Sequence, residues 1–169
     1  MRDLQERRAV VAPVAAWGRR LLIPAVVAVV VAADQITKTL ALDHLDPVHR
    51  THVVGPVYWD LTYNSGAAFS LGAGVTPIVE AGVVVLIVGL LLYARRSSRS
   101  ASVPVSVGLG MLLGGALSNL GDRLFRNLPV HGAVVDFIQA VSWWPVFNVA
   151  DASIVLGVIL LILTWRSGA

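Results

Sequence analysis

The sequence predicts an all-α integral membrane protein with four transmembrane helices. Of its 169 residues, 56% are hydrophobic and only 14% are charged, and the mean hydropathy is +0.76. This composition is far too apolar for a soluble domain of the same length. The hydrophobic residues form four runs, and arginines cluster beside these runs, as they do at the flanks of transmembrane helices.

The composition also excludes several kinds of chemistry. The chain has no cysteine, so disulfides, thiolate nucleophiles and Cys-ligated zinc are ruled out. The net charge is +3, but the position of the arginines favours a membrane partner over nucleic acid. His44, His49 and His52 lack the spacing of metal ligands, and we interpret them as ordinary loop residues.

The first apolar run predicts a helix that carries an acid within the membrane. Residues 1–20 are rich in arginine and are interpreted as a cytoplasmic tail. The uninterrupted run, Leu21 to Ala33, reaches only about 20 Å, whereas a bilayer core needs about 30 Å. A signal peptide is an alternative, because a basic start precedes a short apolar region. The apolar pattern resumes at Leu40, so we favour a span over about 21–42 that includes Asp34.

Three further spans are predicted, at about 76–93, 103–122 and 146–165. Before them, His52 to Thr62 has strand-like composition around a Gly-Pro turn. The third span carries Gly110 and Gly114, a small-residue pair that permits close helix packing, and Ser118 extends this face. We expect one membrane domain over 21–165 and a cytoplasmic C-terminus at 166–169.

The arginines also predict the orientation of the chain. With the N-terminus inside, nine basic residues flank the inner ends of the spans and four lie on the outer side. The positive-inside rule then places both termini in the cytoplasm. Each span carries one acid toward its outer end: Asp34, Glu80, Asp122 and Asp151. A charge at the bilayer centre costs at least about 2.5–3.5 kcal/mol, so these acids indicate a polar chamber that opens outward.

Asp136 and Asp151 are the candidate catalytic pair. Asp151 falls in the first turns of its helix, where the dipole favours an anion. Asp136 lies in an apolar stretch that favours the protonated acid. Two carboxyl groups that share a site do not both ionise easily, so such a pair can activate water as a base and protonate a leaving amine as an acid.

Other polar residues are candidates for support of this pair. Asp34 and Lys38 are four residues apart and can pair along one helix face. Asn119 and Asn148 each lie one turn before an acid and are candidates to hydrogen-bond a buried carboxylate. Asn64 and Gly66 lie in a turn that can present backbone groups to a peptide. Two rival functions stay open at this point, a proton-coupled transporter and a non-catalytic scaffold.

Five separated motifs give the chain a resemblance to the lipoprotein signal peptidase (signal peptidase II) family. They are DQITK (Asp34 to Lys38), NSGAAF (Asn64 to Phe69), GGALSNLGDR (Gly114 to Arg123), VVDF (Val134 to Phe137) and FNVAD (Phe147 to Asp151). One departure is Ser118, where the family pattern usually has glycine. The resemblance covers about Leu21 to Trp165.

The resemblance implies an aspartyl endopeptidase of the bacterial cell membrane, with its active site at the outer leaflet and no cofactor or metal. We expect the enzyme to be a monomer, although the sequence does not determine the oligomeric state. Such enzymes cut prolipoproteins on the amino side of a diacylglyceryl-modified cysteine, contact membrane phospholipid and are blocked by globomycin-type cyclic peptides. The catalytic pair carries over to Asp136 and Asp151. The supporting positions are Asp34, Asn64, Asn119, Arg123 and Asn148, and Asp122 matches a structural position. The implied fold adds a small extracytoplasmic β-cradle and a short outer helical segment, for which His52 to Thr62 and about Phe137 to Trp144 are the candidates.

Overall fold

The computed structural model describes residues 2–66, 84–85, 87–89, 92, 102–130 and 132–167, with the backbone alone for 2–20 and 165–167. The predicted span at about 76–93 lies outside these residues except for isolated helical positions, and Glu80 lies outside them altogether. The elements are α1 (Arg2–His44), β1 (Thr51–Val54), β2 (Val57–Asn64), α2 (Val103–Phe125), β3 (Val134–Gln139) and α3 (Val149–Ser167).

Two of the described helices are long and apolar enough to cross a membrane. They are the Leu21–His44 part of α1, with 24 residues and a hydropathy of 1.8, and α2, with 23 residues and a hydropathy of 1.5. The apolar part of α3, Val149–Thr164, is shorter. Large apolar side chains point outward from these helices, including Val29 at 68% exposure and Phe125 at 86%, which suits a hydrocarbon surrounding.

Glycines allow α2 to pack closely against α1 and α3. A Cβ atom added at Gly110 would lie 2.6 Å from Cβ of Val26 in α1, and one added at Gly114 would lie 2.8 Å from Cβ of Val30. The prediction that this small-residue face permits close packing is therefore confirmed. On the side facing α3, a Cβ atom at Gly108 would lie 2.9 Å from Cγ of Leu161.

The polar loops contribute a three-stranded antiparallel sheet in the order β1-β2-β3. The hairpin between β1 and β2 turns at Gly55, whose φ of +54° suits glycine. The prediction of strands within His52 to Thr62 is confirmed by β1 and β2. Leu61 of β2 and Val135 of β3 pack with the end of α1 in an apolar cluster, so the sheet is fixed to the helices.

The expectation of an outer helical segment at about Phe137 to Trp144 was wrong. The first part of this segment belongs to β3, and the rest is a turn that Ile138 and Phe147 close through two backbone hydrogen bonds of 2.8 and 3.0 Å. The strand forms because β2 offers it a partner along Thr62, which lies opposite Asp136. The sheet therefore brings the VVDF motif up to the ends of the helices.

Candidate active site

The β2–β3 pairing places Asn64 beside Asp136. Asn64 lies opposite Val134, two residues before Asp136, so the two side chains share one face of the sheet. The Asn64 side-chain nitrogen donates to Oδ2 of Asp136 at 3.0 Å. Asp136 is only 2% exposed, and this donor comes from a residue 72 positions earlier in the chain.

Asp151 is held by a reciprocal capping arrangement at the start of α3. Asn148 precedes the helix, and its Oδ1 accepts the backbone N–H of Asp151 at 2.9 Å. In return, the backbone N–H of Asn148 donates to Oδ2 of Asp151 at 3.2 Å. This pattern satisfies two backbone donors that a helix start leaves unpaired. The carboxylate is therefore fixed by the same contacts that begin the helix.

The side chain of Asn148 joins the two aspartates. Its Nδ2 donates to Oδ1 of Asp136 at 2.6 Å, while its Oδ1 accepts from the backbone of Asp151. Burial and the negative charge of Asp151 raise the pKa of Asp136 to about 7, and the amides of Asn64 and Asn148 oppose that rise. The two carboxyl groups thus lie in one site, and this site favours the protonated form of Asp136.

A second amide, Asn119 of α2, completes the hydrogen bonding of Asp151. Its Nδ2 donates to Oδ1 of Asp151 at 2.9 Å, and its Oδ1 accepts from Nζ of Lys38 at 2.8 Å. An ammonium group is a donor only, so Lys38 fixes which way the Asn119 amide points. Lys38 consequently acts on Asp151 through one intervening side chain.

Lys38 is itself fully buried between two carboxylates. Its Nζ lies 2.7 Å from Oδ2 of Asp34 and 2.8 Å from Oδ2 of Asp122, and all three side chains are 0% exposed. A buried cation needs such partners because it has left water. The helical spacing predicted the Asp34–Lys38 pair, but Asp122 and Asn119 come from α2 and only the fold brings them in.

Asp34 also contacts the helix that carries Asp151. Its Oδ1 accepts the backbone N–H of Ala150 at 2.8 Å, across 116 residues of sequence. The N-terminus of a helix has unpaired N–H groups and a partial positive charge, so it attracts a carboxylate. Asp34 therefore anchors the first turn of α3 to α1.

Asp122 connects α2 to α1 and to the sheet. Its Oδ1 accepts from Gln35 at 3.0 Å and from Nε of Arg126 at 2.9 Å, and its Oδ2 also accepts the backbone N–H of Val135 at 3.2 Å. Gln35 and Arg126 were not among the site residues predicted from the sequence. Their signals were available, since Gln35 follows Asp34 directly and Arg126 lies one helical turn after Asp122.

Arg123 and Gly66 link the turn after β2 to the loop before β3. The guanidinium of Arg123 donates to the carbonyl of Gly132 at 2.8 Å and also to the carbonyl of Gly66. The N–H of Gly66 donates to Oδ1 of Asn64 at 3.0 Å. Asn64 is thereby oriented with its nitrogen toward Asp136.

Every residue that the sequence predicted for the site belongs to one connected network of hydrogen bonds. Its members are Asp34, Lys38, Asn64, Gly66, Asn119, Asp122, Arg123, Asp136, Asn148 and Asp151. The histidines at 44, 49 and 52 lie apart, each bonded to a neighbour in the chain. No cluster of metal-binding side chains occurs within the described part of the chain.

Comparison with known proteins identifies the family. A family model for signal peptidase (SPase) II matches residues 26–166. The chain is 42% identical to a lipoprotein signal peptidase of Mycobacterium leprae over 164 residues, which is 95% of this chain and 77% of the relative. It is 47% identical to that of Mycobacterium avium, over 86% of this chain and 79% of the relative.

The fold resembles that of solved bacterial membrane enzymes. Two solved structures of bacterial membrane enzymes, both 25% identical to this chain, superpose with TM-scores of 0.71 and 0.70. The matches cover 86% and 85% of this chain and 87% and 91% of the solved chains. The chain belongs to the signal peptidase II family, the bacterial membrane proteases that cleave signal peptides from lipoprotein precursors.

Proposed function

We propose that the protein hydrolyses prolipoproteins on the amino side of a diacylglyceryl-modified cysteine, with one water molecule activated by Asp136 and Asp151. The contact that supports this most strongly is the shared amide of Asn148, which bonds the side chain of one aspartate and the backbone of the other. The two carboxyl groups have different surroundings, because Asp136 is 2% exposed while Asp151 is partly accessible. Such a difference separates an acid from a base.

In this mechanism Asp151 is the general base and Asp136 the general acid. Asp151 accepts a proton from water as the water oxygen bonds to the scissile carbonyl carbon. When the carbon–nitrogen bond breaks, Asp136 gives its proton to the leaving amine of the cysteine residue. Because its pKa is raised to about 7, Asp136 holds this proton in mildly acidic solution and loses it as the pH rises through neutral. Transfer of the proton from Asp151 to Asp136 then restores the starting state.

Four spans and a cytoplasmic location of both termini are part of the proposal. Gly110 packs near Val26 and Gly114 near Val30, so α1 and α2 run parallel. Two parallel helices that both cross a membrane require one more crossing between them, and the sequence predicts it at about 76–93. With arginines on the inner flanks, the network of acids then lies at the outer ends of the helices, within the outer leaflet.

The proposed substrate explains why the network of acids lies within the outer leaflet. The acyl chains of a lipidated cysteine stay in the bilayer, which holds the neighbouring peptide bond near the outer surface. An anchor of this kind also positions the bond for attack. We expect bound phospholipid to line the same region, and a globomycin-type cyclic peptide to occupy the aspartate site of a monomeric enzyme. Such binding should raise the melting temperature of the wild-type protein.

The decisive experiment replaces each aspartate by the isosteric amide. Asp136→Asn and Asp151→Asn should each lower processing of a lipidated precursor in liposomes by about 10³-fold or more. Asp46→Asn is the matched control, because Asp46 is exposed and bonds to its chain neighbours, the ring of His49 and the backbone N–H of Val48, each at 2.8 Å. Full processing by either amide variant, inserted at the wild-type level, would exclude the two-aspartate mechanism.

A further inference from the structure

Ser118 of α2 has a buried hydroxyl that contacts α1. It is 1% exposed, and its Oγ donates to Oδ2 of Asp34 at 2.8 Å. The same Oγ accepts from Nε2 of Gln35 at 3.0 Å. Both partners lie on α1, so this single side chain from α2 contacts two consecutive polar residues of the neighbouring helix.

Arg126 determines which atoms donate and which accept in these hydrogen bonds. Arg126 has only donors, and its guanidinium gives one to Oε1 of Gln35 at 2.6 Å. The amide nitrogen of Gln35 must therefore face Ser118. This nitrogen donates to the hydroxyl oxygen of Ser118. The hydroxyl therefore donates its own proton to Asp34.

Asp34 links Ser118 to the helix that carries Asp151. While Oδ2 accepts from Ser118, Oδ1 accepts the N–H of Ala150 at 2.8 Å. Lys38 also contacts Oδ2, at 2.7 Å, but an ammonium group is a flexible point charge that does not define the carboxylate plane. The hydroxyl adds a second, directional contact from α2, which fixes the rotation of the carboxylate.

We propose that Ser118 is a positioning residue for peptide hydrolysis, whose hydroxyl orients Asp34 to hold the Ala150 N–H and thereby sets the position of Asp151. The proposal rests on the proposed function, since it assumes that Asp151 acts on the water. Ser118 does not touch the reacting atoms. Its effect is on geometry at the reacting centre, so its removal should lower kcat and leave substrate binding unchanged.

Kinetics of three serine variants test this effect. Ser118→Ala should lower kcat about tenfold at unchanged KM, and Ser118→Thr, which keeps the hydroxyl, should restore most of it. Ser106→Ala is the matched control, because Ser106 is also 1% exposed and lies about 18 Å earlier along the same helix. A kcat of Ser118→Ala equal to that of Ser106→Ala overturns the proposal, as does a threonine variant no better than alanine.

Amide exchange provides a readout that does not depend on activity. In Ser118→Ala, the N–H of Ala150 should exchange about tenfold faster than in the wild type. In an Asp34→Asn background the serine change should add nothing, because it acts through that carboxylate. Additive effects, or unchanged exchange, contradict the positioning role. If the Asp136→Asn variant cleaves normally, the two-aspartate mechanism fails instead, and the exchange result still stands as a test of the contact.

Discussion

The side-chain nitrogen of Asn148, just before α3, lies 2.6 Å from Oδ1 of Asp136 in β3. The amide oxygen of the same side chain caps α3 through the backbone N–H of Asp151. One side chain therefore has two separable tasks. The first is to begin the helix, and the second is to hold the carboxylate of the strand.

Substitutions at Asn148 should separate these two tasks. Serine caps a helix about as well as asparagine, whereas alanine does not. Serine is also too short to reach Asp136. We expect Asn148→Ser and Asn148→Ala to lower kcat to a similar extent, about 10²-fold, while the alanine variant alone loses a further ~1 kcal/mol of stability for the missing cap. Processing assays and melting curves on the same preparations measure both effects. Wild-type kcat in the serine variant would show that the contact with Asp136 is unimportant.

The raised pKa of Asp136 predicts how activity depends on pH. Burial and the charge of Asp151 bring this pKa to about 7, and the proposed general acid must be protonated to work. We therefore expect kcat/KM for a lipidated precursor to fall as pH rises through about 7, with an apparent pKa that belongs to the pair. A profile that stays flat from pH 6 to 8 would contradict the assignment of Asp136 as the acid.

The same group should make the stability of the protein depend on pH. Its pKa in the folded protein lies above the ordinary value of 3.8, so the folded state binds this proton more tightly than the unfolded chain does. The free energy of unfolding should therefore fall as pH rises from about 4 to about 7 and change little from this group above that range. Asp136→Asn should remove this part of the slope. Melting curves of both proteins across this range provide the measurement, and identical slopes would be the contrary result.

Loss of the buried cation should destabilise the fold strongly. Lys38→Met leaves Asp34 and Asp122 buried without their shared partner, and breaking a buried ion pair from one side typically costs about 3–5 kcal/mol. The exposed pair of Asp46 and His49 is the natural comparison, because Asp46→Asn should have no measurable effect. Chemical or thermal unfolding in detergent tests this difference. A methionine variant as stable as the wild type would show that the network does not need its charge.

Two glycines of α2 offer a matched pair for testing the approach of α3. A Cβ atom at Gly115 would lie 2.5 Å from the carbonyl oxygen of Ala150, whereas one at Gly121 would meet nothing within 4 Å. Gly115→Ala should therefore displace the first turn of α3 and lower both stability and kcat. Gly121→Ala should instead stabilise the helix by about 0.5–1 kcal/mol. Equal stability and equal kcat in the two variants would mean that α2 and α3 can move apart without loss of stability or activity.

The sequence was most informative where function restricts the choice of residue. An acid inside an apolar run is costly, so Asp34 and Asp151 stand out without any coordinates. The helix dipole at Asp151 and the apolar stretch around Asp136 singled out these two residues as the candidate pair, and the motifs then indicated the same pair through the family resemblance. The spacing of Asp34 and Lys38 predicted their contact, because both lie on one helix.

The contacts between elements could not be predicted in this way. Val134 to Phe137 are at most 6% exposed, so β3 is buried on both faces and shows none of the polar–apolar alternation that marks a half-buried strand. Its apolar run was therefore not recognised as a strand. Ser118 was predicted only as part of a small-residue face, and the local spacing of Gln35 and Arg126 to nearby acids did not indicate that they would join different elements. Their importance appears only when α1 and α2 lie side by side.

The bond between Asn64 and Asp136 has a consequence for biosynthesis. The donor and the acceptor are 72 residues apart, and α2 is made between them. Asp151 follows later still. Under the proposed two-aspartate mechanism, a nascent chain therefore has no assembled carboxylate pair until the helix that carries Asp151 has been made, and a chain truncated before that helix should not cleave lipoprotein precursors.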